Sequence, residues 1–255
     1  MIEITHNAGF FSCCSVRLHE IIGFFNKHNK LSTIVDTSQS YKMYKKDNTD
    51  VTYDFFKNYN EIVEDIQYIN RVDFNHSYQF SNYKNLDYKN ICPFIKKYFT
   101  PSNLIIDIRN RLVEKYNINT KKCIGIYYRG TDKLIETKLG PYAEYVDNLK
   151  KIYKHDCQIL IQSDSAPFLD YINDNCKNMN IITIQENKVS YTQKGIHYQN
   201  NSITNYEDIK YLIATFLIIS ECENIICSSG SGSIWIMLYR GNGDNIQQFL
   251  NDEWL

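Results

Sequence analysis

The chain has no CxxC pair among its eight cysteines, no apolar run long enough to span a membrane, and no excess charge of either sign. Each absence removes a class of protein. Cys13, Cys14, Cys92, Cys123, Cys157, Cys176, Cys222 and Cys227 lack the spacing of a zinc site, and most lie in apolar segments. They read as buried free thiols in a reducing compartment. A net charge of −1 gives no global electrostatic case for nucleic-acid binding. The N-terminus, MIEITHNAGFFSCC, lacks the basic start and long apolar core of a signal peptide. A cytoplasmic protein is therefore expected. The motifs G-x-S-x-G, H-E-x-x-H and the Walker loop are missing too, which argues against α/β-hydrolase, zinc-protease and kinase chemistry. His6, His19, His76 and His197 show no metal-ligand spacing and read as structural or solvent histidines. Neither a metal nor a cofactor is expected.

What is present is ordinary for a globular protein: 43% hydrophobic and 22% charged residues over 255 positions, enough to bury a core without disulfides. Strand-like and helix-like segments alternate, which predicts an α/β architecture with parallel sheets. Ile2 and Ile4 begin a strand, a helix runs through Val16, Leu18, Ile21, Ile22 and Phe25, and 32–36 is the next strand. The stretch 39–98 is polar and aromatic, with helix-like pieces at 53–56 and 61–69 and no evident topology. Thr100 or Ser102 reads as the cap of a helix ending near Lys115. A second series follows, with strands at 123–128, 158–162, 181–184 and 224–227 and helices at 143–153, 168–175, 206–220 and 233–239. The expected organisation is two Rossmann-like domains, 1–117 and 118–255, facing a central cleft.

Ligands of open parallel sheets bind beyond the carboxyl ends of strands. After the first strand comes HNAGFFSCCS. Gly9 lets a backbone approach a ligand closely, Asn7 beside it is a candidate donor-binding residue, Ser12 and Ser15 can cap the next helix, and its amides would suit a phosphate. One glycine stands where a dinucleotide fingerprint has three, and a plain helix entry explains the loop equally. After 123–128 comes RGTDK. Arg129 can hold a pyrophosphate with two hydrogen bonds, Gly130 removes a side chain, and Thr131 and Asp132 can fix the loop. Lys133 adds a cation and Glu136 lies close in sequence; the alternative is a surface turn with an ion pair. After 158–162, Ser163 or Asp164 reads as a helix cap with Pro167 in the first turn, and Asp164 can also face the cleft. After 224–227, Ser228, Ser229, Gly230, Ser231 and Gly232 precede an apolar helix and form a candidate anion nest, or else a Gly-Ser turn.

These residues carry a resemblance. The segment IGIYYRGTDKLIETKLGPYAEYV resembles the arginine motif of the α1,6-fucosyltransferases and their bacterial nodulation relatives, in which a strand ends in His-Val-Arg-Arg-Thr-Asp-Lys. YFTPSNLIIDIRNRLVEKYNI, ILIQSDSAPFLDYI and ENIICSSGSGSIWIMLY are similar to other segments of that family, the match running in order over 100–240, and NAGFFSCCSVRLHEIIGFF is similar to its first Gly-rich loop and helix. The resemblance implies a fold of the GT-B type and a GDP-sugar donor, with inverting transfer that uses no metal. It puts Arg129 on the donor diphosphate, Asp132 and Lys133 on the Asp-Lys that completes the loop, and Ser228 and Ser231 in the second diphosphate loop. Tyr127 stands where the family has histidine, Gly130 where it has a second arginine, and Thr215 near its guanine-reading aspartate. Asp208 lies two helical turns earlier and is set aside as a substitute. The family's base falls on Thr137, with Glu136 one residue before it.

The function expected is transfer of a sugar, fucose from GDP-fucose by the resemblance, to a glycan or glycoconjugate hydroxyl. Arg129, Lys133 and the amides around Ser229 to Gly232 and Gly9 to Ser12 would stabilise the leaving diphosphate. Glu136 is the first candidate base, with Asp132 and Asp164 behind it. The alternatives are an inactive carbohydrate- or nucleotide-binding protein of the same fold and a sugar-nucleotide-modifying enzyme. A homo-oligomer is compatible with the sequence.

Overall fold

The computed structural model describes residues 1–63, 66, 71–132 and 137–255. The chain opens with the expected βαβ unit. β1 (Ile2–Glu3) and β2 (Val35–Asp36) pair in parallel, Ile2 opposite Val35. Between them runs α1 (Phe10–His28), whose C-terminus is closed by Asn29 in the left-handed region, its N–H on the Phe25 carbonyl. Lys27 and His28 in the last turn suit the negative end of the helix dipole. The first half contributes this two-stranded sheet and helices: α2 (Thr52–Phe55), α3 (Tyr88–Tyr98) and α4 (Asn103–Lys115). The piece expected at 61–69 lies largely outside the described residues. Ser102 occupies the first position before α4, but its hydroxyl donates to the Asp54 carbonyl and caps nothing.

The second half forms a six-stranded sheet. β3 (Cys123–Tyr128) lies inside it, with β4 (Gln158–Ser163) and then β5 (Asn180–Thr183) on one side. On the other side come β6 (Asn224–Ser228), β7 (Ile246–Leu250) and the short antiparallel β8 (Glu253–Trp254). All other pairings in this sheet are parallel. The crossovers are α5 (Tyr142–Ile152), α6 (Ala166–Asn175), α7 (Ser202–Ser220) and α8 (Ser231–Arg240).

Strand alternation sorts the side chains of β3. Ile124, Ile126 and Tyr128 enter a core with α5 and α6, where Tyr128 stacks on Phe168 with centroids 4.2 Å apart. Cys123 and Tyr127 enter the opposite, larger core. That core runs from Ile4 and the α1 aromatics through Phe99 and Ile105 to Phe216 and Trp235. Side chains from both sides of residue 117 therefore share one apolar interior. Phe216 of α7 stacks on Phe11 of α1 at 4.5 Å and meets Tyr127 edge-on at 4.9 Å. Trp235 Nε1 donates to Ser15 Oγ at 2.9 Å.

Phe216→Ala removes the ring that joins α1, β3 and α7. A loss of about 3–5 kcal/mol of unfolding free energy is expected, measured by urea denaturation.

Candidate functional site

β3 ends at Tyr128, and the chain turns through Arg129, Gly130, Thr131 and Asp132. The turn sits at the carboxyl edge of the sheet, between β3 and β6, where the strand order reverses. Asp164, just beyond β4, organises it. Its Oδ1 accepts from Gly130 N–H at 2.8 Å and its Oδ2 from Thr131 Oγ1 at 2.6 Å. The expectation that Ser163 or Asp164 caps α6 is corrected: Ser165 caps it, accepting from Phe168 N–H, while Ser163 Oγ accepts from Ser165 N–H. Gly130 lies off the cavity wall, because the Tyr128 ring and Ser165 fill the space a side chain would need.

The Arg129 guanidinium is oriented by Asp132. Nε and Nη2 donate to Oδ1 at 3.1 and 2.8 Å, and Nη2 also reaches Oδ2 at 2.9 Å. Asp164 Oδ2 stands 3.8 Å from Nε. A β-carbon on Gly9 would lie 3.9 Å from Nη1, so that nitrogen faces the entry to α1. Burial by itself disfavours the charged guanidinium, but Tyr127, Asp164 and Asp132 outweigh it and hold the cation more firmly than usual. Burial likewise works against the Asp132 carboxylate. Arg129 and then His197 overcome it, and the carboxyl is held below its ordinary pKa.

A cavity of about 210 Å³ opens beside this pair. Gly9, Phe10, Phe11 and Ser12 at the start of α1 form one wall, with Tyr44 from a 3-10 turn (Lys42–Tyr44). Tyr127, Arg129, Asp132 and Asp164 form the floor, Ser231 of α8 closes one end, and Asn205, Asp208 and Ile209 of α7 line another side. His197 and Tyr198 complete the rim. Ser12 sits inside α1 and its hydroxyl pairs with His6 Nε2 at 3.0 Å; Gly9 precedes the helix without a side-chain cap, and Ser15 Oγ donates back to the Phe11 carbonyl. Neither serine caps α1, contrary to expectation.

Other expected site residues lie off the wall. Asn7 bridges the Gln39 carbonyl and Lys42 N–H. Ser228 is buried and its carbonyl accepts from Ser233 Oγ. Ser229 uses both N–H and Oγ on the Phe249 carbonyl. Gly230 N–H donates to Tyr83 Oη at 3.0 Å, so the nest expected there is half filled by the protein itself. Ser231 alone of the five reaches the cavity, its hydroxyl on Gln79 Oε1 at 2.7 Å. Gly232 is required by packing: a β-carbon there would come 2.3 Å from Tyr127 Oη. Thr215 is buried, bonded to the Tyr211 carbonyl. Lys133 and Glu136 lie outside the described residues.

The sequence sets His197 aside as a structural or solvent histidine and gives no sign of Tyr198, Asn187 or Lys188, yet all four line the cavity. They follow β5, and the strand-end rule applied to β5 would have found them. Asp208, set aside as a guanine reader, also lines the cavity. Burial raises its carboxyl pKa, against a smaller downward pull from Lys188. Among the described residues, no group of three or more His, Cys, Asp or Glu side chains is placed to hold a metal ion, and no helix is long and apolar enough to cross a membrane.

Two outcomes follow. Gly232→Ala forces Tyr127 off its seat and should cost about 1–3 kcal/mol in chemical denaturation. A carboxyl depressed in the folded state stabilises above its unfolded pKa of about 3.9, and that stability is lost as pH falls through the lower folded value. Asp132→Asn should therefore flatten the acid limb of the melting-temperature profile below about pH 4.

No protein-family model and no curated protein matches the chain. Solved structures do. NodZ α-1,6-fucosyltransferase soaked with GDP-fucose superposes with a TM-score of 0.63 at 11% identity, covering 100% of this chain and 97% of that one. NodZ co-crystallised with GDP gives 0.60 at 11% identity, covering 100% and 96%. Fucosyltransferase NodZ from Bradyrhizobium gives 0.53 at 11% identity, covering 88% and 87%. Over its full length, the chain has the fold of the NodZ α-1,6-fucosyltransferase.

Proposed function

We propose that the chain is a glycosyltransferase with two GT-B-type lobes. It moves fucose from GDP-fucose to a glycan hydroxyl, with inversion and without a metal. The observation that carries the reading is the place of Arg129. It lies at the reversal point of the sheet, beside a cavity, with Nη1 toward the start of α1. The similar NodZ structures, with GDP-fucose and with GDP, support the choice of donor.

In the reaction, an acceptor oxygen attacks the anomeric carbon while the bond from that carbon to the β-phosphate oxygen breaks. The electron pair leaves with the diphosphate. Arg129 would meet that growing charge, with the positive end of the α8 dipole beside it. Asp132 and Asp164 hold the guanidinium in place before the donor arrives, so little reorganisation is needed at the moment of reaction. Asp208, in the same cavity, is suited to accept from the N–H groups of a guanine edge.

Arg129→Ala would strand two carboxylates, so Arg129→Lys is the cleaner test: it keeps the charge and loses the fork. GDP release from GDP-fucose should fall about a hundredfold while the melting temperature stays close to wild type. A variant with full turnover overturns the site. Asp208→Asn should weaken GDP binding, and wild-type affinity should rise with pH as Asp208 ionises; calorimetry across pH 4–7 checks both.

A further inference from the structure

Transfer needs a base for the acceptor hydroxyl, close to the cation that holds the leaving group. The sequence offered three carboxylates. Asp132 places both oxygens on Arg129. Asp164 places both on the backbone and hydroxyl of the turn. Both carboxylates are engaged in holding the turn, and Arg129 holds the Asp132 carboxyl below its ordinary pKa, which makes it a weaker base; Glu136 lies outside the described residues.

A third kind of group stands at the same point. His197 lines the cavity, and its ring and the Asp132 carboxylate pack against the same face of Gly195. A β-carbon on Gly195 would come 2.6 Å from Asp132 Oδ2 and 3.1 Å from His197 Cε1, which is why the position is glycine. The ring lies against Tyr198, centroids 4.1 Å apart, with Tyr44 at 6.4 Å. The backbone is pinned by Asn205, whose Nδ2 donates to the His197 carbonyl at 2.8 Å. Tyr198, more than half exposed at 56%, also lines the cavity, so an aromatic face borders the histidine on the open side.

We infer that His197 is the general base of the transfer, with the Asp132 carboxylate as the countercharge for the imidazolium it becomes. This rests on the transferase reading above. In the step, a ring nitrogen of His197 takes the proton of the acceptor hydroxyl. The acceptor oxygen bonds to the anomeric carbon, and the bond to the diphosphate breaks with its electron pair going to the diphosphate beside Arg129. The positive charge thus moves onto a ring already facing an anion. Among the described residues, the charged and titratable groups that share the cavity with His197 are Asp132 and Arg129 from the β3 turn, Tyr44, the adjacent Tyr198, Asp164, and Asp208 and Lys188.

The test uses GDP-fucose with water as acceptor, measuring GDP release over hours. His197→Ala should lower the rate about a hundredfold or more, and added imidazole should restore part of it. GDP affinity by calorimetry should change less than about threefold. The wild-type rate should fall in acid as the base takes up a proton from solvent, and the imidazole-independent residual rate of the variant should lose that limb. His197→Gln, checked by its melting temperature, guards against a folding defect. The inference is overturned if His197→Ala keeps its turnover, or if Glu136→Gln abolishes turnover and His197→Ala does not. A wild-type protein that fails to bind GDP, or binds GDP-fucose and releases no GDP, overturns the transferase reading itself.

Discussion

The site is built around a guanidinium seated on a carboxylate three residues ahead of it. Arg129 would be free to sample solvent at the end of β3 if Asp132 did not take Nε and Nη2. That pairing spends two of its nitrogens to aim the third toward Gly9. Asp164 then fixes the backbone that carries the pair. An arginine committed to an acid inside its own turn can look like a purely structural ion pair. Here the side chain stays a quarter exposed and borders a cavity, so the pairing orients the cation without hiding it.

Much of the second half could be read from its residues. β3 is an unbroken buried run, CIGIYY, and its boundaries are those expected. The α/β alternation followed from apolar runs separated by polar turns, and the place of Arg129 beside a cavity followed from strand-end logic. Helix starts were less legible. Ser12, Ser15, Ser163 and Asp164 all have side chains fit to cap, and each bonds elsewhere. Capping competes with other bonds the same side chains can make: Ser15 and Ser163 bond nearby backbone, Ser12 bonds His6, and Asp164 alone is drawn to a distant segment.

The misses have physical causes. α3 carries Pro93 inside it, which reads as a breaker. β7, IQQFL, alternates poorly because Gln248 is fully buried. It donates to the Ser81 carbonyl and Ser229 Oγ, and accepts from Tyr83 N–H. A glutamine that is satisfied three ways inside a sheet has no signature in a hydropathy pattern. His197 and Tyr44 come to one cavity from distant parts of the chain, a pairing that no window along the sequence contains.

That same bracing has a mechanical consequence. Tyr83, from the first half, both donates to and accepts from Gly230 at the head of α8, and Gln79 receives the Ser231 hydroxyl. With the apolar interior shared across residue 117, pulling the first half of the chain away from the second would tear a continuous seam and bare buried polar groups such as Gln248 and Ser229. The end of the cavity made by Gln79 and Ser231 is thus fixed by the same bonds that join the two halves of the chain.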